Sequence, residues 1–404
     1  MQTLKFPAML CLLVFSVACG DMGRLSSDNL FGNAPLSDLG GELSITPASA
    51  YVEAELTATY TGGEAVVFQW KKDEAPIAGA TGSTYMATAA GSYAVTVSAA
   101  GYNSKTSEAV PVTVHPTRGV VWTAVANNNT DYVSGIAWGD GRFVAAASMG
   151  WDEMALYSTD GISWTNSGHT FKKYLRTVAY GGGRFVIGTQ DYMLACSADG
   201  GETWADIATM WPPPGAVISA AYGNGKFLVG SNNYGILYST DCMEWKPMGD
   251  VGFYLPTHGI VWANGRFVVV GKNGQMAWST DGTTWTQVKD STFGTSTIET
   301  ITYGGGLLVA GGYAGKMAWS ADAGITWNAV ENSPFGTDTV YAIAYGGGRF
   351  VAGGQKGTMA HSTDGKVWEA IVDRPPLTYI YALAYGSGRF LAGGVGGLIY
   401  SAGD

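Results

Sequence analysis

The sequence predicts an all-β protein whose larger part is built from repeated units, and three observations support this fold class. A Ser-x-Asp sequence followed by a tryptophan occurs six times, and the intervals between successive serines are 39, 42, 40, 41 and 42 residues. The chain has 59 glycines and only 13% charged residues, as short strands joined by tight turns require. The repeats show no helical period. A fixed period of about 40 residues indicates a repeat architecture. The six serines are Ser158, Ser197, Ser239, Ser279, Ser320 and Ser362.

The N-terminus predicts export. Residues 1–19 contain Lys5, a short apolar run and then Cys19, and the run is too short to span a bilayer. Residues 16–19 resemble the bacterial lipoprotein box, which implies a lipid on Cys19 and an anchor in the outer membrane or at the cell surface. Ser16 departs from the leucine usual in that box, and ordinary cleavage after Ala18 is the alternative. Residues 20–41, rich in Gly, Ser, Asp and Asn, predict a flexible tether.

Residues 42–115 alternate apolar and polar side chains in short runs separated by Gly- and Pro-containing turns, which predicts strands. The segments around Trp70 and Tyr93 resemble the immunoglobulin-like (Ig-like) domains of bacterial surface proteins. The resemblance implies a β-sandwich with Trp70 in its core and Tyr93 as the corner tyrosine. The inter-sheet cysteines are absent, so packing alone holds this domain. A spacer or stalk is the role we expect for it.

The repeated part, residues 116–404, predicts a seven-bladed β-propeller. Each unit has an inner strand ending in an aromatic residue, a Gly-Arg-Phe turn or a variant, a second hairpin and the Ser-x-Asp turn. Four strands in about 40 residues is the size of a propeller blade. The last unit lacks its fourth strand, whereas residues 119–125 match that strand. We therefore expect the strand near Trp122 to complete the seventh blade, which removes exposed sheet edges.

The Ser-x-Asp turns resemble the Asp-box (BNR) repeats of the propeller family that contains sialidases. Residues 197–204 and 320–327 keep the full Ser-x-Asp-x-Gly-x-Thr-Trp form. A short carboxylate that accepts backbone N–H groups fixes such a turn. Identical residues once per blade cannot converge on one substrate, so we predict a structural role for these aspartates. They are Asp160, Asp199, Asp241, Asp281, Asp322 and Asp364. The aromatic column that ends the inner strands is also predicted to be core. It consists of Trp138, Tyr180, Tyr222, Trp262, Tyr303, Tyr345 and Tyr385.

Two positions in each inner strand vary while their surroundings repeat. They lie four and six residues before the terminal aromatic, and strand alternation places both on one face. If each inner strand begins at the mouth of the central channel, these residues line that mouth. Tyrosines with a few convergent polar groups are typical of a site for sugars or peptides. The predicted ligand-binding residues are Arg176, His258, Glu299, Tyr341, Tyr381, Tyr132, Tyr174 and Tyr379.

The remaining features narrow the function. A net charge of −10 argues against nucleic acid as a partner. No CxxC pair or Cys/His cluster is present, so no metal site or cofactor is indicated. Cys196 and Cys242 fall in successive repeats, and disulfide geometry needs Cα atoms within about 7 Å. We therefore expect these two cysteines to be unpaired.

We assign no catalytic residue. The resemblance to sialidases implies a Phe/Tyr-Arg-Ile-Pro segment, which is absent. It also implies a ring of six blades, whereas the repeats here predict seven. A glycoside hydrolase needs two carboxylates, and the variable positions hold one, Glu299. The sequence thus predicts an exported binding protein for a glycan or protein ligand. A carbohydrate-active enzyme, either a glycoside hydrolase or a lyase, is one alternative. A scaffold for envelope assembly, implied by resemblance to a photosystem assembly factor with Asp-box repeats, is another.

Overall fold

The computed structural model describes residues 36–126, 130–191, 193–208, 215–233, 235–248, 256–373 and 377–403. The predicted signal segment, Cys19 and most of the predicted tether lie outside these ranges. Within them the secondary structure is strand throughout, apart from two 3₁₀ turns at Lys272–Gly274 and Tyr313–Gly315. No helix in these ranges is long and apolar enough to cross a membrane.

The N-terminal module comprises eleven strands, which form a six-stranded, a three-stranded and a two-stranded sheet. Its core surrounds Trp70, Tyr93 and Leu56, all essentially buried. The Trp70 indole N–H donates to the Gly82 carbonyl at 2.9 Å, so the polar end of this buried ring is satisfied. The strands are β1 (Ser37–Asp38), β2 (Leu43–Thr46), β3 (Ala50–Tyr51), β4 (Glu55–Tyr60), β5 (Val67–Lys72), β6 (Ala75–Pro76), β7 (Thr84–Met86), β8 (Gly91–Ser98), β9 (Tyr102–Asn103), β10 (Lys105–Thr106) and β11 (Val110–Thr113).

The rest of the chain forms a closed ring of four-stranded antiparallel units. The inner strands are β13 (Tyr132–Gly139), β17 (Leu175–Gly181), β21 (Val217–Gly223), β25 (Thr257–Ala263), β29 (Ile298–Gly304), β33 (Val340–Gly346) and β37 (Tyr379–Gly386). Each inner strand contacts the next, and β37 contacts β13. The second strands are β14 (Arg142–Met149), β18 (Arg184–Thr189), β22 (Lys226–Ser231), β26 (Arg266–Gly271), β30 (Leu307–Gly312), β34 (Arg349–Gly354) and β38 (Arg389–Val395).

The outer half of each unit is shorter. The third strands are β15 (Asp152–Ser158), β19 (Met193–Ser197), β23 (Ile236–Ser239), β27 (Met276–Ser279), β31 (Met317–Ser320), β35 (Met359–Ser362) and β39 (Gly397–Ser401). The outermost strands are β16 (Thr165–Asn166), β20 (Ala205–Ala208), β24 (Lys246–Pro247), β28 (Thr286–Gln287), β32 (Asn328–Ala329), β36 (Glu369–Ile371) and, ahead of β13 in the chain, β12 (Trp122–Ala124). Five units are separate sheets, and the first and last share one eight-stranded sheet.

The ring is closed by a strand from the N-terminal side. Strand β12 pairs with β39, with Trp122 opposite Ser401. The Trp122 indole N–H donates to the Gly119 carbonyl at 3.2 Å, as the Trp164 indole does to the Gly161 carbonyl at 3.1 Å in the first unit. Both ends of the repeated part therefore meet in one sheet, which leaves neither as an open edge.

Apolar cores lie between neighbouring sheets. One of them joins Val268 and Met276 of one unit to Ile301 and Leu308 of the next, with Trp327 against them. Each fully buried side chain of this size stabilises the fold by about 1.5–3 kcal/mol. Aromatic rings also pack between neighbouring inner strands. The ring of Tyr345, for example, lies over a glycine of the preceding sheet, so the predicted aromatic column packs between sheets, where its members are half-buried.

The Ser-x-Asp turns are held by their own side chains. The Asp281 carboxylate accepts the backbone N–H groups of Thr283 at 2.7 Å and Thr284 at 2.8 Å, as well as the Ser279 hydroxyl at 2.9 Å. These donors, the Thr284 N–H first, hold the pKa of Asp281 well below its ordinary value. The Asp281 carboxylate thus forms its hydrogen bonds within its own turn.

A basic side chain ties some of these turns to the preceding unit. Lys226 donates from Nζ to the Asp281 carbonyl at 2.9 Å, and Arg266 donates from Nη1 to the Asp322 carbonyl at 3.1 Å. Arg266 also covers the Trp278 ring at 4.6 Å from its centroid. The Arg or Lys of the Gly-Arg-Phe turn is therefore a link between neighbouring sheets, which its sequence position alone did not indicate.

The expectation of two unpaired cysteines is wrong, because Cys196 and Cys242 form a disulfide with Cα atoms 6.2 Å apart. Cys242 takes the place that glycine holds in the other Ser-x-Asp turns. That turn position packs against the second strand of the preceding sheet, since a β-carbon on Gly324 would lie 2.9 Å from Val268. The turn is inserted between the sheets, so the Cα separation is much smaller than a full blade spacing.

The N-terminal module docks at the far end of the inner strands. Glu53 accepts the Gly347 N–H at 3.2 Å and the Tyr385 hydroxyl. The fully buried Arg118 donates from Nη1 to that same hydroxyl at 3.0 Å and lies 3.5 Å from the Glu53 carboxylate. Arg349 donates to the His115 carbonyl at 3.1 Å. These contacts fix the module at the end where the inner strands finish, and they leave the opposite end of the ring uncovered by it.

Candidate functional site

A cavity of about 830 Å³ opens at the end where the inner strands begin. Its floor is apolar, because every inner strand contributes one aliphatic side chain to it. These residues are Ile136, Val178, Ala220, Ile260, Ile301, Ile343 and Leu383. The walls carry the polar and aromatic side chains. A dry floor beneath a mixed wall is typical of sites that orient an amphipathic ligand.

The wall residues are presented by a β-bulge in every inner strand. In each strand the pairing with its second strand shifts past one residue, which stays outside the ladder. The bypassed residues are Ser134, Arg176, Ile218, His258, Glu299, Tyr341 and Tyr381, and all of them line the cavity. They are the same residues as the variable column four positions before the terminal aromatic. A bulge bends the strand and re-aims the extra side chain, so these side chains point into the channel.

Six of the eight residues predicted to bind a ligand lie together. They are Tyr132, Arg176, His258, Glu299, Tyr341 and Tyr381. The other two lie elsewhere. Tyr379 stacks against Tyr381 with ring centroids 5.7 Å apart but is not one of the residues that line the cavity. Tyr174 is 47% exposed and borders a separate groove on the rim.

Tyrosines form one side of the cavity. The ring centroid of Tyr381 lies 5.1 Å from that of Tyr341 and 5.4 Å from that of Tyr132. Burial, reinforced by the neighbouring tyrosines, raises the pKa of Tyr381 to about 12. Its hydroxyl therefore stays protonated at physiological pH and can both donate and accept hydrogen bonds.

Charged groups form the other side. His258 Nδ1 and Glu299 Oε2 are 2.7 Å apart, and both side chains are only 15% exposed. Tyr313 is close enough that the charge of Glu299 raises its pKa. Across the ring, Arg176 donates from Nη2 to Gln190 Oε1 at 3.1 Å. The cavity thus has an aromatic side, a basic side and a paired His–Glu side.

Sequence reasoning missed Gln190 and Tyr313, which complete this wall from the second hairpin of their units. Both lie five residues after the residue that ends the Gly-Arg-Phe turn or its variant, Phe185 or Leu308, so a comparison of this position between units could have found them. In the described part of the chain, no group of three or more His, Cys, Asp or Glu side chains could hold a metal ion.

A lateral groove of about 350 Å³ adjoins the cavity. Gln190 and Asp191 line both spaces, so the groove continues from the mouth over the rim. Its outer margin is formed by Trp151 and Lys172, with Phe171 at its base. The binding surface is therefore asymmetric, although the ring beneath it repeats.

Comparison with known proteins identifies the fold. No protein-family model matches the sequence, and no curated protein matches it. Among solved structures, YCF48 bound to D1 peptide is 17% identical, with a TM-score of 0.56 over 70% of this chain and 97% of that one. The WD40 β-propeller domain of Doa1 is 13% identical, with a TM-score of 0.57 over 71% and 96%. Virginiamycin B lyase from Staphylococcus aureus is 13% identical, with a TM-score of 0.56 over 69% and 97%. At such identities the likeness concerns the fold alone: the chain is a β-propeller protein.

Proposed function

We propose that this chain is an exported binding protein, anchored by a lipid on Cys19, whose propeller cavity recognises a protein segment or a glycan. One observation carries the proposal. Within the inner strands the terminal aromatic repeats from unit to unit, whereas the bulged residue varies, and all seven bulged residues line a single cavity. Varied side chains that converge on one concave surface are what a ligand site needs.

The chemistry of the wall supports an amphipathic ligand. Tyr341 and Tyr381 offer flat apolar faces with a hydroxyl at each edge, and Arg176 supplies a cation next to Tyr132. A polypeptide segment is the first candidate, because one structural neighbour is YCF48 bound to D1 peptide. A glycan is the second, since rings and polar groups of this kind also hold sugars.

The architecture supports presentation of this site away from a membrane. We infer seven blades, because the eight-stranded sheet is two four-stranded units joined only where Tyr132 pairs with Val395. We assign the six Ser-x-Asp turns to Asp-box repeats, which is supported by the backbone N–H groups that each carboxylate accepts. We assign residues 42–115 to an Ig-like spacer, where Tyr93 donates to the Ala89 carbonyl at 2.8 Å, as a corner tyrosine does. The spacer docks at the end of the ring opposite the cavity.

The Cys196–Cys242 disulfide supports export, because disulfides persist mainly in oxidising compartments. The anchor is tested by fractionation of cells that express the full chain. The wild type should remain with the membranes, and Cys19→Ser should appear in the soluble or secreted fraction. A Cys19→Ser protein that stays with the membranes at the wild-type level would remove the lipid from the proposal.

A carbohydrate-active enzyme remains the second candidate, and the His258–Glu299 pair is the observation that favours it. A carboxylate that holds one nitrogen of an imidazole leaves the other nitrogen available for proton transfer. A hydrolase of the usual two-carboxylate type is disfavoured, because Asp191, the other acid of the cavity, pairs with Lys173 at 2.7 Å. Release of new reducing or unsaturated ends from polysaccharides, lost in His258→Ala, would favour this candidate. An envelope assembly scaffold is the third.

The binding proposal is tested with the full chain against a glycan array and a displayed library of random peptides. Combined replacement of Arg176, Tyr341 and Tyr381 by Ala should abolish binding of whatever the wild type selects. A matched control replaces Met243 and Ile325, which are exposed on Ser-x-Asp turns at the other end of the ring, and should bind normally. Equal thermal midpoints for the two variants would show that both are folded. Normal binding by the triple variant would exclude the cavity as the site.

A further inference from the structure

One hairpin of the ring is longer than all its counterparts. The spacing from the Phe of the Gly-Arg-Phe turn to the Ser of the Ser-x-Asp turn differs between units. This spacing is 12 residues in the second unit, from Phe185 to Ser197, and the same in the third, fourth and sixth units. In the first unit the step from Phe143 to Ser158 is 15 residues. Strands β14 and β15 have eight and seven residues, against six and four or five in those units. The hairpin therefore extends past the others at the cavity end.

The tip of this hairpin is apolar and exposed. Trp151 is 88% exposed, and Met149 beside it and Tyr174 on the adjoining loop are 44% and 47% exposed. Scattered exposed apolar residues are ordinary, but a contiguous group that includes a tryptophan marks an interaction surface. Exposure of these apolar side chains to water is unfavourable, and the propeller repeat does not require the three extra residues of this hairpin.

The hairpin is braced. Glu153 forms an antiparallel bridge with Phe171, and its Oε2 accepts the Leu175 N–H at 2.9 Å. The segment that carries Lys172 and Tyr174 is thereby held against the hairpin. A preformed surface loses little conformational entropy when a ligand binds to it.

The groove between these elements is continuous with the cavity through Gln190 and Asp191. Its charged lining residues are Lys172, Lys173, Glu153 and Asp191. Lys173 pairs with Asp191 at 2.7 Å. Among the ion pairs of the described residues, none involves Lys172, which lines the groove.

We infer that this groove is a second subsite for the ligand of the cavity, and that the ligand is a polypeptide segment with a large apolar residue close to an acidic one. The inference rests on the proposed function. The apolar residue packs on Trp151 and Tyr174, which both line the groove, and the acidic residue meets Lys172. A polypeptide is favoured over a neutral glycan, because one polypeptide chain can carry an apolar side chain for Trp151 and a carboxylate for Lys172. Two adjacent subsites on one chain add their binding energies at little further entropic loss.

The test uses the full chain and a displayed library of random 16-residue peptides selected on the wild type. Enriched peptides should combine a large apolar residue with Asp or Glu. Trp151→Ala should weaken their binding about tenfold or more, as loss of a tryptophan anchor does, and Lys172→Glu should weaken peptides with an acidic residue. Val367→Ala is the control, because Val367 is 69% exposed on a Ser-x-Asp turn at the other end.

Shortened peptides separate the two subsites. A peptide trimmed of its apolar and acidic residues should lose its response to Trp151→Ala and keep its response to Tyr381→Ala. If Trp151→Ala has no effect while the cavity variants abolish binding, the groove inference is wrong and the proposed function stands. If only the groove variants weaken binding, the ligand does not occupy the cavity, and both the proposed cavity site and the inference of one ligand for two subsites are wrong. Enrichment on a glycan array with none in the peptide library would overturn the polypeptide class, and binding to neither probe would count against both proposals.

Discussion

The ring of Tyr345 lies so closely over Gly304 that a β-carbon on this glycine would be 2.0 Å from the ring. The same relationship joins Gly139 to Tyr180. Six of the seven inner strands end in glycine, and β25 ends in Ala263. Where glycine is present, it allows the close approach of the next sheet and is not required by its own backbone angles. The pattern of aromatic followed by glycine in the sequence reflects contact between two successive units.

Gly304→Ala should destabilise the protein by about 1–3 kcal/mol, because the added methyl group overpacks the junction between two sheets. Denaturant unfolding measures the change. Gly63→Ala is the matched control, since a β-carbon there meets nothing within 4 Å. Equal unfolding midpoints for the two variants would contradict the packing argument.

Loss of the disulfide should be partly offset by a glycine. Cys196→Ala removes a crosslink between residues 46 apart and should cost about 2–4 kcal/mol. Cys242 has a φ of 69°, where glycine is favoured. Adding Cys242→Gly should therefore restore about 1 kcal/mol. Unfolding midpoints of the wild type, the single variant and the double variant decide this, and a double variant weaker than Cys196→Ala would contradict it.

The Ser-x-Asp turns should make the protein sensitive to acid. The folded-state pKa of Asp281 lies below that of the unfolded chain, so its contribution to stability is complete above the unfolded value. That contribution is lost as pH falls through the folded value. The unfolding midpoint should drop below about pH 4, and Asp281→Asn should lower it at neutral pH and flatten the acid limb. An unchanged acid limb in this variant would assign the acid sensitivity to other groups.

The docking of the N-terminal module should depend on Glu53. This carboxylate accepts the Gly347 N–H and the Tyr385 hydroxyl and lies beside Arg118, so Glu53→Ala removes an acceptor shared by several donors. Limited proteolysis between residues 113 and 118 should become faster, while ligand binding in the cavity stays the same. Glu55→Ala is the control, because Glu55 is exposed at the start of strand β4. Equal cleavage rates would show that Glu53 does not hold the module.

Much of the ring could be predicted from sequence, because its signals are local and recur. Strand alternation, the Gly-Arg-Phe turn and the segment around Trp122 each have a fixed offset within the repeat, so the pairing of β12 with β39 followed from residue matching. The disulfide did not follow, since the distance between Cys196 and Cys242 depends on how deeply one turn enters the gap between two sheets. That depth is a property of packing.

The residues of the candidate site could be predicted only in part, because their positions depend on irregular strand pairing. Simple alternation placed Tyr379 beside Tyr381, and the two rings stack, but only Tyr381, the residue at the bulge, lines the cavity. Tyr132, at the position equivalent to Tyr379, does line it, so strand position alone did not decide which tyrosines reach the cavity. A bulge is an irregularity of pairing and leaves no periodic trace in one strand. The long hairpin that bears Trp151 did leave a trace, as a spacing of 15 residues where the other units have 11 or 12, but only a comparison of spacings between units finds it.

The bulges have a further consequence for how this protein can be altered. Because the bypassed residue contributes no pair to the ladder, its identity can change without disturbing the hydrogen bonds that hold the ring. Ser134, Ile218 and Glu299 already differ in size, polarity and charge at equivalent places. The seven bulged residues that line the cavity are thus positions at which side chains can be exchanged while the pairing of the inner strands stays the same. A library randomised at these positions should yield folded proteins with new ligand preferences at high frequency.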